Sequence, residues 1–187
     1  MNDLSLHLLD LMENSLRAGA SVIAVSLVED IQRDILKITL EDNGQGLDIP
    51  PAAATDPFFT TKEGKATGLG LSLMQASAER AGGTLALERS ASGGLRVVAT
   101  MHISHVDRCP LGDMGATFAS VAITHPELDL QVSFVSDGRM AMAQLIKPAG
   151  IKSTQQGIEQ ARKFAEQVGV GVKILQSYAG EFTVADK

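Results

Sequence analysis

From Gln45 to Thr67 the chain carries no hydrophobic period, while the segments on either side of it are strongly periodic. This stretch holds prolines, glycines, a run of three alanines (Ala52 to Ala54) and several threonines. A loop of that length inside a compact domain is usually a functional lid or a disordered segment. The fold must therefore be built from what flanks it. Upstream, Leu4 to Leu16 places Leu4, Leu8, Leu11, Met12 and Ser15 on one helical face, and Leu6, Leu9 and Leu16 widen the stripe. That pattern predicts a helix packed on a sheet. Ser21 to Val28 and Asp34 to Leu40 alternate and are β-branched, with a polar turn between them, and predict a hairpin. Downstream, Leu69 to Arg80 reads as a helix stopped by Gly82-Gly83, followed by strands at Thr84 to Arg89 and Leu95 to Ile103 joined by a Ser/Gly turn.

Past a linker-like run from Ser104 to Gly112 the pattern predicts a short helix (114–123), two strands (130–136 and 139–146), a helix (154–168) and a last strand (171–176). The expected organisation is thus one domain over 1–104 and a small α/β unit over 108–187. With 187 residues, 44% of them hydrophobic, the chain is long enough for one sizeable core, or for one core and a small second unit.

Charge and composition remove several functions. The net charge is −6 with both signs dispersed and no basic run, which speaks against nucleic acid as a partner. No Trp, one Tyr and six Phe give little material for stacking bases. The lone cysteine, Cys109, forbids an intrachain disulfide and a cysteine-rich zinc site, as expected in a reducing compartment. The N-terminus lacks the basic region of a signal peptide, and no apolar run nears the ~20 residues of a membrane span. A cytoplasmic location is expected.

Four short motifs carry chemistry. On the first helix, Asp10 and Asn14 are four apart and share a face, offering a carboxylate and an amide oxygen suited to a hard cation. Arg17 lies about one turn further, within reach of a phosphate. The same residues also fit an amphipathic helix with a polar solvent face. Next, Glu41-Asp42-Asn43-Gly44-Gln45-Gly46 follows a strand. It reads either as a plain turn, or as a buried acceptor (Asp42) for the exocyclic amine of adenine with Gly44 and Gly46 turning the backbone beside the base. Third, Asp56-Pro57-Phe58-Phe59-Thr60-Thr61-Lys62 places two aromatics in a polar loop, either as a staple or as a lid hinge with Lys62 near a terminal phosphate. Last, Gly68-Leu69-Gly70-Leu71 opens a helix, where backbone N–H groups and the helix dipole favour phosphate. A P-loop sequence is absent, and so is a strand-linked dinucleotide fingerprint.

In this order, with the long loop between the second and the fourth, the motifs resemble the GHKL superfamily of ATP-binding domains over residues 4 to 104. That superfamily includes histidine-kinase catalytic domains, type II topoisomerases, ninety-kilodalton chaperones and mismatch-repair ATPases. Glu13-Asn14-Ser15-Leu16 with Ala18-Gly19-Ala20 is similar to mismatch-repair ATPases. The Asp56–Lys62 and Gly68–Leu73 motifs, Gly82-Gly83-Thr84 and Arg17 are more similar to histidine kinases. The resemblance implies an α+β fold: a two-layer α/β sandwich of the Bergerat type, a mixed sheet with helices on one face. It implies ATP and Mg²⁺ as ligands, Asn14 as the metal ligand and Asp42 as the adenine residue. It also implies that Gly44, Gly46, Phe58, Thr61, Gly68, Leu69, Gly70 and Leu71 line the nucleotide. Asp10, Arg17 and Lys62 are the candidate catalytic residues. Hydrolysing branches tend to have Glu at the position of Asp10. Asp is one methylene shorter, so a base there works only through a shifted water.

The chain starts at the Asn14 helix, without room for a phosphoacceptor hairpin, and His7 lies on the nucleotide helix itself. His102, His105 and His125 are expected to be structural or exposed. The reading is a stand-alone kinase domain that phosphorylates a partner protein. The alternatives are a nucleotide-gated interaction module and a slow ATPase. Residues 105 to 187 carry no motif with its own chemistry, and Cys109 reads as a passive thiol. The run from Ser104 to Met114 resembles small ATP-binding proteins found beside iron–iron hydrogenase genes, which suggests a hydrogenase-associated partner.

Overall fold

The computed structural model describes residues 3–46, 69–146 and 154–175. Helix α1 spans Leu4–Arg17. Asp3 caps it by accepting from the backbone N–H of Leu6, which satisfies one of the donors that a helix start leaves free. Its buried face is Leu4, Leu8, Leu11 and Met12, as the stripe predicts. Gly19, at φ +79°, ends it in the left-handed conformation that glycine tolerates best. Strands β1 (Val22–Asp30) and β2 (Ile35–Asp42) form the expected antiparallel hairpin, with Ile23 opposite Asp42 and Asp30 opposite Ile35. Helix α2 (Leu69–Arg80) leads to β3 (Leu85–Arg89) and β4 (Leu95–His102). Strand β4 pairs with both β3 and β2.

The C-terminal segments complete the same sheet. Helix α3 (Met114–Thr124), capped by Asp113, precedes β5 (Asp129–Ser136) and β6 (Arg139–Leu145). Strand β5 runs parallel to β1, Val25 beside Val132, so the sheet has six strands in the order β3-β4-β2-β1-β5-β6. The stretch expected as a small unit of its own therefore extends the sheet of the first domain. One hydrophobic cluster runs from Leu4 and Met12 through Ile23 and Leu40 to Phe118, Phe134 and Phe164. The run before α3 is tied to the start of α1: the N–H groups of Leu4 and Ser5 donate to the carbonyls of Pro110 and Leu111 at 2.9 and 3.0 Å.

Burial alternates strictly along β1 and β5, so one face of the sheet is covered more completely than the other. The fold is α+β, a mixed sheet with a helical layer, as expected. Helix α4 spans Thr154–Val172 and differs from expectation at its end. The strand expected from Gly171 is absent over 171–175, because Phe164, Val168 and Val172 continue a buried four-residue period and hold the chain helical. Gly171 sits so close to the Phe134 ring that any Cβ there would overlap it.

Candidate nucleotide site

Helices α1 and α2 meet where the first and fourth motifs meet. A Cβ built on Gly70, in the first turn of α2, would lie 2.6 Å from Asp10 Oδ2 and 3.0 Å from Asn14 Nδ2. Asp10 and Asn14 thus converge on the one residue of α2 that leaves them room. Any larger residue would fill the space between the polar face of α1 and the N-terminal turn of α2. Arg17, at the end of α1, is committed to its own helix: Nη1 donates to Asn14 Oδ1 at 2.8 Å and Nη2 to Glu13 Oε2 at 2.7 Å. The Arg17–Glu13 pair is almost half exposed, so it holds the guanidinium only weakly.

Asp42 lies at the C-terminal end of β2 and is 3% exposed. Its carboxylate is held on both oxygens. Oδ1 accepts from the N–H of Gly44 at 2.9 Å and of Leu95 at 3.1 Å. Oδ2 accepts from the hydroxyl of Ser15 at 2.6 Å, which links the end of β2 to α1. The loop after β2 is fastened at three points. Asn43 Oδ1 accepts from the N–H groups of Ser21 and Val22, its Nδ2 donates to Ser21 Oγ, and the Gln45 N–H donates to the Ala18 carbonyl. Gly44 packs with its Cα beside that same carbonyl, where a Cβ would come within 2.9 Å. Gly46 has φ +74°. The motif is a tight turn with a buried carboxylate at its base.

Of the residues singled out in the sequence, Asp10, Asn14 and Gly70 come together, and Asp42, Gly44 and Gly46 form a second cluster connected to them through Ser15. Leu71 is partly buried against the core, and Leu69 begins α2. Phe58, Phe59, Thr61, Lys62 and Gly68 lie outside the described residues. Sequence reasoning missed Ser15 as a partner of Asp42, and it gave the β3–β4 turn no contact with Asp42. Ser92 Oγ donates to the Asp42 carbonyl at 2.8 Å, and Gly94 packs directly on the Asp42 carboxylate. The only signal for the turn was its Ser/Gly composition, which any hairpin turn shares.

The histidines take structural positions. His102 Nδ1 lies 3.3 Å from the Asp34 carbonyl, His125 Nδ1 lies 3.0 Å from Thr124 Oγ1, and His105 Nδ1 accepts from the Asp107 N–H. His7 is buried, and neither ring nitrogen has a hydrogen-bond partner among the described residues. Burial, more than any other cause, pushes its pKa down, with Arg80 adding to the effect and Asp3 and Asp10 opposing it. Cys109 is buried, with Ser77 Oγ 3.1 Å from its sulfur. Among the described residues no group of three or more His, Cys, Asp or Glu suits a metal ion, and no helix is long and apolar enough to cross a membrane.

The fold is thus an α+β domain with a buried carboxylate at the end of one strand and a carboxylate–amide pair facing a glycine at a helix start. Residues 2–105 match the family model described as histidine kinase-, DNA gyrase B- and HSP90-like ATPase, and the chain belongs to that family. Its first part is therefore an ATP-binding domain of the GHKL type. Among solved structures, the chain is similar to the ATP-binding domain of PrrB from Mycobacterium tuberculosis (29% identity, 52% of this chain and 66% of that one, TM-score 0.40). It is also similar to the N-terminal domain of a DNA repair protein (14% identity, 86% and 57%, TM-score 0.50). A third likeness is to the Aquifex aeolicus MutL ATPase domain complexed with ADP (17% identity, 87% and 70%, TM-score 0.47). The chain thus spans less than two thirds of the first two structures. No curated protein matches it.

Proposed function

We propose that the protein binds Mg²⁺-ATP between α1 and α2 and acts as a kinase catalytic unit, transferring the γ-phosphoryl group to a side chain of a partner protein. The observation that carries this reading is the convergence of Asp10 and Asn14 on Gly70. It sets the Asp10 carboxylate and the Asn14 amide, its nitrogen toward Gly70 and its oxygen toward Arg17, beside the first turn of a helix, where phosphate is favoured. These residues fit a magnesium ion: Asn14 Oδ1, once released by Arg17, would hold it, and the Asp10 carboxylate would accept hydrogen bonds from its water shell. When bound, the ion supplies charge neutralisation across the phosphates. Arg17 must leave Asn14 Oδ1 as the cation arrives, because a guanidinium and a dication on one amide oxygen repel each other. Released, Arg17 would be free to turn to the phosphates, and the resemblance assigns Lys62, which lies outside the described residues, to the terminal one. Phosphoryl transfer needs little more from a protein than such positioning and neutralisation. In the transfer, the bond from the γ-phosphorus to the β–γ bridging oxygen breaks, the acceptor atom bonds to the phosphorus, and ADP departs. Asp42 accepts from the adenine amine and holds the base end.

A cytoplasmic site of action and a hydrogenase-associated protein as acceptor are the corresponding proposals for place and partner. Incubation with γ-labelled ATP, Mg²⁺ and a panel of candidate partners tests the reading. Label on one partner, lost in the Asn14→Ala variant, is the expected result. Labelled ATP that stays intact and labels no protein, under conditions where the nucleotide is bound, contradicts transfer. A second reading, a nucleotide-gated interaction module, is favoured by the Arg17–Asn14 hydrogen bond, which must break on metal binding and so offers a two-state element. It predicts partner binding that depends on nucleotide without turnover.

A further inference from the structure

The lone pairs around Asp42 can be counted. An ionised carboxylate has about four acceptor positions, two on each oxygen. Oδ1 spends both on the N–H groups of Gly44 and Leu95. Oδ2 spends one on the Ser15 hydroxyl. One position remains, so a ligand facing Asp42 can donate a single hydrogen bond to it.

Beside Gly44 and Ser15, the carboxylate and its main chain are held by a turn some fifty residues away in sequence. Residues 90–94 join β3 to β4 and close on themselves: the Ser90 N–H donates to the Gly94 carbonyl, and the Gly93 N–H to the Ser90 carbonyl. Ser90 and Ser92 hydroxyls meet at 2.7 Å. From this turn Ser92 Oγ donates to the Asp42 carbonyl at 2.8 Å, and the next strand begins with the Leu95 N–H on Oδ1. Gly94 sits between. A Cβ there would overlap Asp42 Oδ1 and the Asp42 carbonyl oxygen, and would lie 2.7 Å from the Gly44 nitrogen.

We propose that the β3–β4 turn, through Ser92 and Gly94, is the purine-selectivity element of the nucleotide site. Ser92 fixes the Asp42 main chain, Gly94 packs on Oδ1 and the Leu95 N–H that follows donates to it, so with Gly44 and Ser15 the carboxylate keeps one orientation and one acceptor position for the amino group of a 6-aminopurine. A 6-oxo purine brings an acceptor to that position, opposite a carboxylate that is acceptor-only and is held from withdrawing. A carboxylate released from the turn can swing and admit a bridging water, and the discrimination weakens. This inference rests on Asp42 being the base acceptor. Ser92 and Gly94 are positioning residues, since they act through Asp42.

The test is calorimetric binding of ADP and IDP, with Mg²⁺, to the wild-type chain and to Ser92→Ala, Ser92→Thr, Gly94→Ala and Asp42→Asn, with a melting temperature for each. The expected result is a wild-type preference for ADP that falls roughly three- to tenfold in Ser92→Ala, the worth of one neutral hydrogen bond. It should fall further in Gly94→Ala and be restored in Ser92→Thr. Equal losses of ADP and IDP affinity in Ser92→Ala, or an unchanged ratio, overturn the proposal and leave the turn a merely structural role. A wild type that binds both nucleotides equally overturns the assignment of Asp42 itself, and the proposal with it. Should Gly94→Ala fail to fold, the pair of Ser92 variants decides.

Discussion

Replacing Asp42 by Asn changes one atom of the site and nearly nothing of its shape. The amide oxygen takes the place of Oδ1 and keeps the N–H groups of Gly44 and Leu95. The amide nitrogen takes the place of Oδ2. Ser15 turns its hydroxyl to accept where it had donated, since a hydroxyl does both. The fold therefore loses little, below about 1.5 kcal/mol. The ligand loses more. The remaining outward position becomes an N–H facing the amine of adenine, donor against donor. Loss of one hydrogen bond to a charged group costs about 1.5–3 kcal/mol, or roughly ten- to 150-fold in Kd. The carbonyl of hypoxanthine, by contrast, gains a donor. Asp42→Asn should therefore reverse the preference between ADP and IDP while the melting temperature shifts by only a few degrees. Calorimetric titration of both nucleotides measures it. A loss of ADP affinity below threefold, or IDP binding no better than in the wild type, refutes the lone-pair argument.

Three other outcomes are expected. Gly70→Ala pushes a Cβ against Asp10 and Asn14. Nucleotide affinity should drop at least tenfold by calorimetry while the melting temperature holds or rises, because Ala is the better helix residue. Gly171→Ala drives a Cβ into the Phe134 ring and should cost about 1–3 kcal/mol in urea unfolding without changing nucleotide affinity. His7 has its folded-state pKa held below 6.5 by burial, so the unfolded chain binds the extra proton first. The stability linked to His7 is complete above pH 6.5 and is lost as the pH falls from there through the lowered folded value; His7→Leu should flatten that part of the urea-midpoint profile between pH 7 and 5.

The elements were legible wherever burial imposes a period. The stripe of α1, the alternation of β1 and β2 and the glycine stops after α1 and α2 all have direct readings in the chain. Illegible was the pairing between hairpins. Nothing local in Asp129–Ser136 says that it lies parallel to β1 and so fuses the C-terminal segments to the first sheet. Parallel pairing is a long-range choice, made by the core that α3 and α4 bury with it. The end of α4 was misread because Gly169 and Gly171 suggest a break, whereas Val168 and Val172 are anchored in the core and Gly171 is used for close packing on Phe134. At the site, Asp10, Asn14, Asp42 and Gly70 stand out by residue type and spacing. Ser92 and Gly94 do not, because their work depends on a contact across the sheet with the carbonyl and carboxylate of Asp42.

The central claim is that Asp42 holds the base while Asn14, freed from Arg17, holds the metal. A crystal structure with Mg²⁺ and a non-hydrolysable ATP analogue tests it directly. The account predicts the adenine amine about 3 Å from Asp42 Oδ2, the metal on Asn14 Oδ1, and Arg17 turned from Asn14 to the phosphates. A nucleotide bound elsewhere, or a metal-loaded site in which Arg17 still donates to Asn14 Oδ1, would contradict it.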